Sequence, residues 1–552
     1  MSSEMFERHR GLLEMALAAT ATRGAFSAYP DRMSDFNEVV HADGREAFDN
    51  YCNSYFYLDQ PGVGERVVGP ALSPFGIEIN IQYPKTNLSA IMPAAVRAKE
   101  SWSKVDLDTR AGMCLEILHQ LHVRSFEIAH ATMHTTGAPM ALAFPQGGPH
   151  AQERGLEAVA MAYHEMRAIP AEVLWEKTDG PNTIRLKKTF RVIGRGVSLV
   201  IGCSTLPNFN AYPGLFASLM TGNSVIIKPH PHAILPLAIT VGVARHFLKE
   251  AGFDPNLVML VVDEADRPIA QALAARPEIK LIDYTGNADF AGWLRENARQ
   301  ARVFTESTAV NPVVIDSTAN YAGMLRNLML SISMFAGRMC TSPRVVFTSR
   351  EGIQTPAGTV STAEFDEQLA QAFDRMLNDV PRTCDFLGAV RPFEFNALLE
   401  GAAALGDVVV ESRVLEHPDF PGAEVRTPLI VRVRPDQTEA YMHEWFGPVV
   451  FLVECDNTGE AITRAAMLAR EKGAVTALLH STDAGTSSTA EEAFGVSGAT
   501  LCLNFTGGAY MNVVTPFSDF HVSGVNPSGN GTLVDAAFVT ERYRVIETKT
   551  PV

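Results

Sequence analysis

Apolar positions along the chain fall into three regimes. Over 88–166 they recur at helical spacing: Ala94, Ala95, Ala98 and Trp102 mark one face, and Met113, Ile117, Leu118 and Leu121 another. Thr135-Thr-Gly-Ala-Pro139 breaks that run. From 197 onward short β-rich runs alternate with helical stretches. Strands are expected at 197–201, 224–227, 258–262, 280–284 and 302–305, with helices near 211–221, 235–250, 266–275 and 288–299. Strands separated by helices of this length build a parallel, doubly wound sheet, whose ligands bind beyond the carboxyl ends of the strands. Residues 310–500 repeat the α/β style, with helices near 320–335, 363–379 and 459–472. Between the first two regimes, 183–193 alternates partly and is followed by Gly194-Arg-Gly196, which predicts a small β element, either a flap or an ordinary surface hairpin. Residues 1–70 carry helical character over 6–22 and an aromatic cluster, Tyr51, Tyr55, Phe56 and Tyr57. They read as an extension covering a neighbouring domain; a subunit contact or part of a substrate entrance are the alternatives. The domain layout expected is an extension over 1–70, α/β units over 71–309 and 310–505, and a loop with a final strand over 506–552.

The chemistry centres on Met334-Phe-Ala-Gly-Arg-Met-Cys-Thr-Ser-Pro343. Met324, Leu325, Leu328, Met329, Ile332 and Phe335 predict a helix running toward Gly337, which can stop it in a left-handed turn; Pro343 prevents its resumption. Cys340 then lies on the irregular turn before a buried strand, where reacting side chains are commonly presented. Upstream, Phe304-Thr-Glu-Ser-Thr-Ala-Val-Asn-Pro places Glu306 at the end of an apolar strand. A carboxylate near a thiol can act as general base on the thiol or on a water.

Composition narrows the class. The 552 residues are 46% hydrophobic and 20% charged, as in an ordinary globular enzyme of several domains. A net charge of −16 argues against nucleic acid or an anionic membrane as the main partner. Seven scattered cysteines without C-x-x-C spacing fit reduced thiols in the cytoplasm, with no structural metal. No signal-peptide core and no membrane-spanning apolar run is expected.

With Gly337-Arg-Met-Cys340 and Glu306 at this spacing, the chain resembles the aldehyde dehydrogenase superfamily over roughly 70–545, and within it the phenylacetic acid degradation branch. The resemblance implies an aldehyde dehydrogenase-like α/β fold: a doubly wound parallel-sheet cofactor domain (71–309), an α/β catalytic domain (310–505) and a small β oligomerisation flap near 183–193. The last piece, 542–550, is expected to pair with that flap in a partner subunit. Cys340 is then the nucleophile and Glu306 the base. An asparagine amide after the first strand, in Leu206-Pro-Asn-Phe-Asn210, stabilises the oxyanion; Asn208 matches best, with Asn210 as second choice. Lys228 of Ile227-Lys-Pro-His-Pro231 contacts the adenosine ribose or its phosphate. Pro231 stands where relatives often carry a glutamate that binds the NAD ribose, which leans the expectation toward NADP over NAD. Gly286 and Asn287 open a helix suited to a pyrophosphate, although Ala291 replaces the family's second glycine. Glu444-Trp-Phe-Gly-Pro448 assigns Glu444 to the nicotinamide ribose and Phe446 to packing beside the nicotinamide. Ser518 and Asp519 replace two family glycines in a loop at the substrate mouth, and Arg338 stands where glutamine is common.

The activity these matches imply is NAD(P)-dependent oxidation of an aldehyde to an acid through a cysteine thioester, in a homodimer or homotetramer. The substrate implied is a semialdehyde, a ring-opened coenzyme A ester of phenylacetate degradation, with a separate hydratase as partner. A coenzyme A-acylating dehydrogenase is the alternative, favoured by the shortened Leu-Pro-Asn-Phe-Asn loop and opposed by Glu306. A non-catalytic scaffold that keeps the fold is the third reading.

Overall fold

The computed structural model describes residues 2–307 and 309–552. Its first sheet has five parallel strands, in the order Val258–Leu260, Ser224–Lys228, Val197–Ile201, Ile279–Gly286 and Arg302–Ser307. Every residue of Val197–Ile201 and Ser224–Lys228 is buried, because helices cover both faces of the sheet. Leu199, Ile226 and Met259 face Leu88–Trp102 and Ala288–Asn297, whereas Val200, Val225 and Ile227 face the helices at Pro207–Met220 and Leu235–Glu250. The five expected strands are all present. The helix expected over 266–275 shrinks to Ala270–Ala274, since Asp263 accepts from the Ile269 N–H at 3.0 Å and ties the chain into a turn first.

The second sheet has seven strands, ordered Asp407–Val410, Leu429–Val433, Val449–Cys455, Pro343–Ser349, Asn311–Ile315, Thr476–His480 and Thr500–Leu503. Neighbours run parallel except at the Asp407–Val410 edge. The helical layer abuts this unit at Gly137. There φ is +81°, and a Cβ would stand 2.0 Å from the Ala389 carbonyl oxygen, so only glycine permits the approach.

The third sheet corrects an expectation. Tyr543–Pro551 pairs with Asn182–Gly194 of its own chain, from Tyr543 opposite Gly194 to Pro551 opposite Leu186, and Glu172–Asp179 completes the sheet. The cause lies just upstream. The Arg542 guanidinium is fully buried against Asp283 (2.9 Å) and the Ser218 hydroxyl (2.8 Å), and its carbonyl accepts from the Arg195 N–H at 3.1 Å. That anchor sets the final strand beside Gly194, and pairing continues from there.

The N-terminal helix, Ser2–Thr22, packs on Leu107–Val123 and Pro149–Arg167, and Val63–Val68 pairs with Gln82–Thr86, so the extension is knitted into the body. Among the described residues no helix is long and apolar enough to cross a membrane.

Candidate active site

The helix Tyr321–Ser333 stops two residues sooner than the periodicity suggests. Phe335, Ala336 and Gly337 then take φ of 53°, 48° and 67°, three consecutive left-handed residues, two of them not glycine. Such a run is costly and persists only where the surroundings impose it. Arg338 supplies much of that constraint. Its buried guanidinium donates to the carbonyls of Thr136 (2.9 Å) and Ala389 (2.7 Å) and stacks 4.0 Å from the Phe335 ring. Gly337 must also be small, because a Cβ there would lie 2.6 Å from the Gly447 carbonyl oxygen. Asn311 holds the next stretch, donating to the carbonyls of Cys340 (2.8 Å) and Ser342 (2.9 Å).

This turn sets the Cys340 thiol beside Glu306, at the carboxyl end of Arg302–Ser307, and beside a residue that sequence reasoning passed over. His521 Nε2 lies 3.9 Å from Cys340 Sγ and 2.9 Å from Glu306 Oε1, and its side chain is buried. The motif containing His521 was matched only for its lost glycines; nothing in its spacing pointed at the thiol. Burial pushes the Cys340 thiol well up, and the adjacent Glu306 carboxylate pushes it further. Burial also tends to raise Glu306, yet the His521 charge and hydrogen bond, helped by Cys340 and by Arg154, hold it below the ordinary carboxylate range. Glu306 Oε2 has no hydrogen-bond partner among the described residues.

The loop carrying His521 leans on the N-terminal extension. Ser518 donates to the Arg23 carbonyl at 3.0 Å, Arg23 donates to the Phe517 carbonyl at 3.3 Å and lies 4.0 Å over the Phe520 ring, and Phe26 meets Phe517 edge-on at 5.0 Å. Asp519 accepts from the Thr515 N–H at 2.7 Å. Ser518 and Asp519 thus do the bracing in a segment where the family motif has glycines.

The preference for Asn208 over Asn210 is reversed. Asn208 is fully buried, and its amide donates to the Tyr212 hydroxyl (3.1 Å) and the Gly147 carbonyl (3.4 Å), away from the thiol cluster. The sequence matched the Asn-Phe pair, but on the helix Pro207–Met220 two residues separate opposite directions. Asn210 Nδ2 instead reaches Cys203 Sγ at 3.3 Å, and the Cys203 sulfur is close enough to act on the Cys340 thiol.

Lys228 ends its strand as expected, but paired: its Nζ lies 2.7 Å from Asp263 Oδ1, with both side chains buried. A cavity of about 620 Å³ opens beside Asp263 and Pro231. Asn287 caps Ala288–Asn297 by accepting from the Phe290 N–H at 2.8 Å. Gly286 is required by Tyr284, whose hydroxyl would stand 2.2 Å from any Cβ there. Glu444 is 7% exposed and 3.9 Å from Arg344 Nη2; burial raises its carboxyl to about 6 despite that arginine. Arg344 lies 5.8 Å from the Phe446 ring, and its Nε and Nη2 have no hydrogen-bond partner among the described residues. A buried carboxylate and unspent guanidinium donors near the Cys340 turn fit a ligand with paired hydroxyls, as a nicotinamide riboside presents.

Comparison with known proteins agrees with this geometry. The model of the aldehyde dehydrogenase family matches residues 81–545. A crystal structure of an NAD-dependent aldehyde dehydrogenase from Burkholderia multivorans superposes with a TM-score of 0.97 at 43% identity, covering 99% of each chain. An N-succinylglutamate 5-semialdehyde dehydrogenase of Paraburkholderia xenovorans is 26% identical over 382 residues, 67% of this chain and 72% of its own length. A 1-pyrroline-5-carboxylate dehydrogenase of Thermus thermophilus, 18% identical, shares the fold with a TM-score of 0.73 over 96% of this chain and 99% of that one. The chain belongs to the aldehyde dehydrogenase family.

Proposed function

We propose that the protein oxidises a semialdehyde to a carboxylic acid with NAD, through a thioester on Cys340. The observation that carries this reading is the ionised Glu306 beside the Cys340 thiol, with one carboxylate oxygen that has no hydrogen-bond partner among the described residues. Thiolysis by coenzyme A brings its own nucleophile, whereas water needs a base at the acyl carbon.

Cys340 Sγ attacks the aldehyde carbon after giving up its proton to Glu306. The Asn210 amide and the Cys340 N–H receive the developing oxyanion. Lys228 would hold the adenosine ribose of a nicotinamide cofactor, and Glu444 and Phe446 its nicotinamide riboside, and the cofactor would supply the two-electron acceptor for this chemistry. Glu306 releases the thiol proton to solvent and then takes a proton from water, and hydroxide displaces the Cys340 thiolate from the acyl group, releasing the acid.

Pro231 alone leaned toward NADP. Asp263 supports NAD instead: a buried carboxylate already neutralises Lys228 and would repel a 2′-phosphate, while it can accept from ribose hydroxyls. The substrate class rests on the semialdehyde dehydrogenase relatives, which are named for N-succinylglutamate 5-semialdehyde. The ring-opened coenzyme A semialdehyde of phenylacetate breakdown, with its separate hydratase, rests on the motif likeness alone. A homo-oligomer is favoured by Leu174, Ile184 and Ile546, apolar side chains exposed on the three-stranded sheet. The test is reduced-nicotinamide formation across a panel of semialdehydes, NAD against NADP, with and without coenzyme A. Turnover with NAD and no coenzyme A supports the reading; turnover only with coenzyme A moves it to the acylating alternative.

A further inference from the structure

We propose that His521 is the cationic partner of the reacting pair: its Nε2–H, set between Glu306 Oε1 and Cys340 Sγ, orients the base and holds the thiolate once Glu306 has taken the thiol proton. The inference rests on the reading of Cys340 as nucleophile.

Three features of the site support it. The 2.9 Å separation of His521 Nε2 from Glu306 Oε1 is that of a charge-assisted hydrogen bond, and the 3.9 Å separation from Cys340 Sγ puts the same N–H within reach of sulfur. Cys340 is otherwise badly placed to ionise, being buried and beside a carboxylate, so a thiolate there needs a positive neighbour. The ring is also held rather than loose. Phe517 and Val522 on its own loop take φ of 65° and 64°, and Gly529 admits Val522 so closely that a Cβ there would stand 1.8 Å from Val522 Cγ1. Gly529 in turn bridges to Glu306, so base and imidazole share one scaffold.

The other charges around the ring do not replace it. Arg154, on Pro149–Arg167, is buried with its Nη1 2.9 Å from Glu157 and acts on Glu306. Arg344, on Pro343–Ser349, acts on Cys340 as well as on Glu444, but Glu444, 3.9 Å away, is its stronger partner. Cys203 is a thiol like Cys340, Asp519 is bound to the Thr515 N–H, and Arg23 lies over Phe520.

The proton balance closes through the trio and solvent. The proton leaves Cys340 Sγ for the Glu306 carboxylate. The thiolate then accepts from His521 Nε2–H, and the charge formed on sulfur is consumed when the C–S bond forms. Glu306 passes the thiol proton to solvent before thioester hydrolysis, and the carboxylate so regenerated accepts the proton of water. The two groups titrate as one unit, so their apparent values belong to the pair.

The test follows the rate of Cys340 alkylation by iodoacetamide against pH, without cofactor or aldehyde, in wild type, H521A, H521Q and H521N, with the site of labelling read by mass. The expected result is that H521A slows labelling at pH 7 about tenfold and moves the inflection upward by about one pH unit. H521Q, which keeps an N–H donor near the Nε2 position, should recover more of the rate than H521N. An unmoved inflection in the folded variants, with rates lowered equally at all pH or not at all, would overturn the proposal. If labelling falls elsewhere than Cys340, or C340A keeps full turnover, the nucleophile assignment fails instead, which separates the two claims.

Discussion

At the residue scale the account turns on a few buried ionisable groups and on what each faces. C340A should lower aldehyde turnover at least about a thousandfold with the fold intact, since no second group completes the chemistry; steady-state kinetics beside circular dichroism checks it. Glu444 gives a prediction with a defined sign. Its carboxyl titrates near 6, so it is ionised above that pH and neutral below. A neutral carboxyl no longer accepts from two hydroxyls, so NAD should bind more weakly as pH falls through about 6, and E444Q should bind it weakly at every pH. Fluorescence titration across pH 5–8 reads both. D263N should raise the NADP over NAD preference about tenfold, measured as the ratio of kcat/KM values, by removing the repulsive carboxylate beside Lys228. Cys340, Glu306, Lys228 and Glu444 were legible in the sequence because each sits in a motif tied to a strand end. His521 and Asp263 were not. Their importance comes from which distant side chain they meet, 2.9 Å from Glu306 and 2.7 Å from Lys228, and spacing along the chain does not encode that.

At the scale of elements, the reacting turn is strained and clamped from outside. Arg338 replaces a common glutamine, and its carbonyl contacts with Thr136 and Ala389 join the helical layer to the second sheet through the turn that carries Cys340. R338A should cost roughly 2–4 kcal/mol, from lost charge-assisted bonds and two orphaned carbonyls in a buried site. Thermal unfolding measures the loss, and the slower turnover expected alongside follows from a misplaced Cys340. The parallel strands were readable because buried runs bounded by glycine and proline leave few other assignments. The end of the Tyr321–Ser333 helix was less so: Phe335 continues the apolar period, but tertiary contacts at Arg338 and Gly337 force the chain into the left-handed region first. The helix between Asp263 and Ala275 shortened for a similar reason, a side chain that caps a turn rather than a helix.

At the scale of the molecule, the N-terminal extension braces the loop that carries His521. Arg23, Phe26 and Ser518 couple it to the loop that carries His521, and Ser27, Ala28 and Tyr29 all donate to the buried Glu153. The sequence left padding and entrance open because amphipathic spacing says that a helix packs, not against what. The partner of the final strand was misjudged likewise: it pairs with the flap of its own chain, and the Arg542–Asp283 anchor that sets this links positions far apart in the chain.

The most direct test of the central claim is a single-turnover experiment with E306Q, NAD and a semialdehyde, following reduced nicotinamide and the mass of the Cys340 peptide together. The account predicts slower formation of one equivalent of reduced nicotinamide, because the Cys340 thiol has lost its proton acceptor, and an acyl group that then stays on Cys340, with release of acid slowed at least about a hundredfold relative to wild type. Unslowed turnover in E306Q with no acyl group on Cys340, or wild-type turnover that requires coenzyme A, would contradict it.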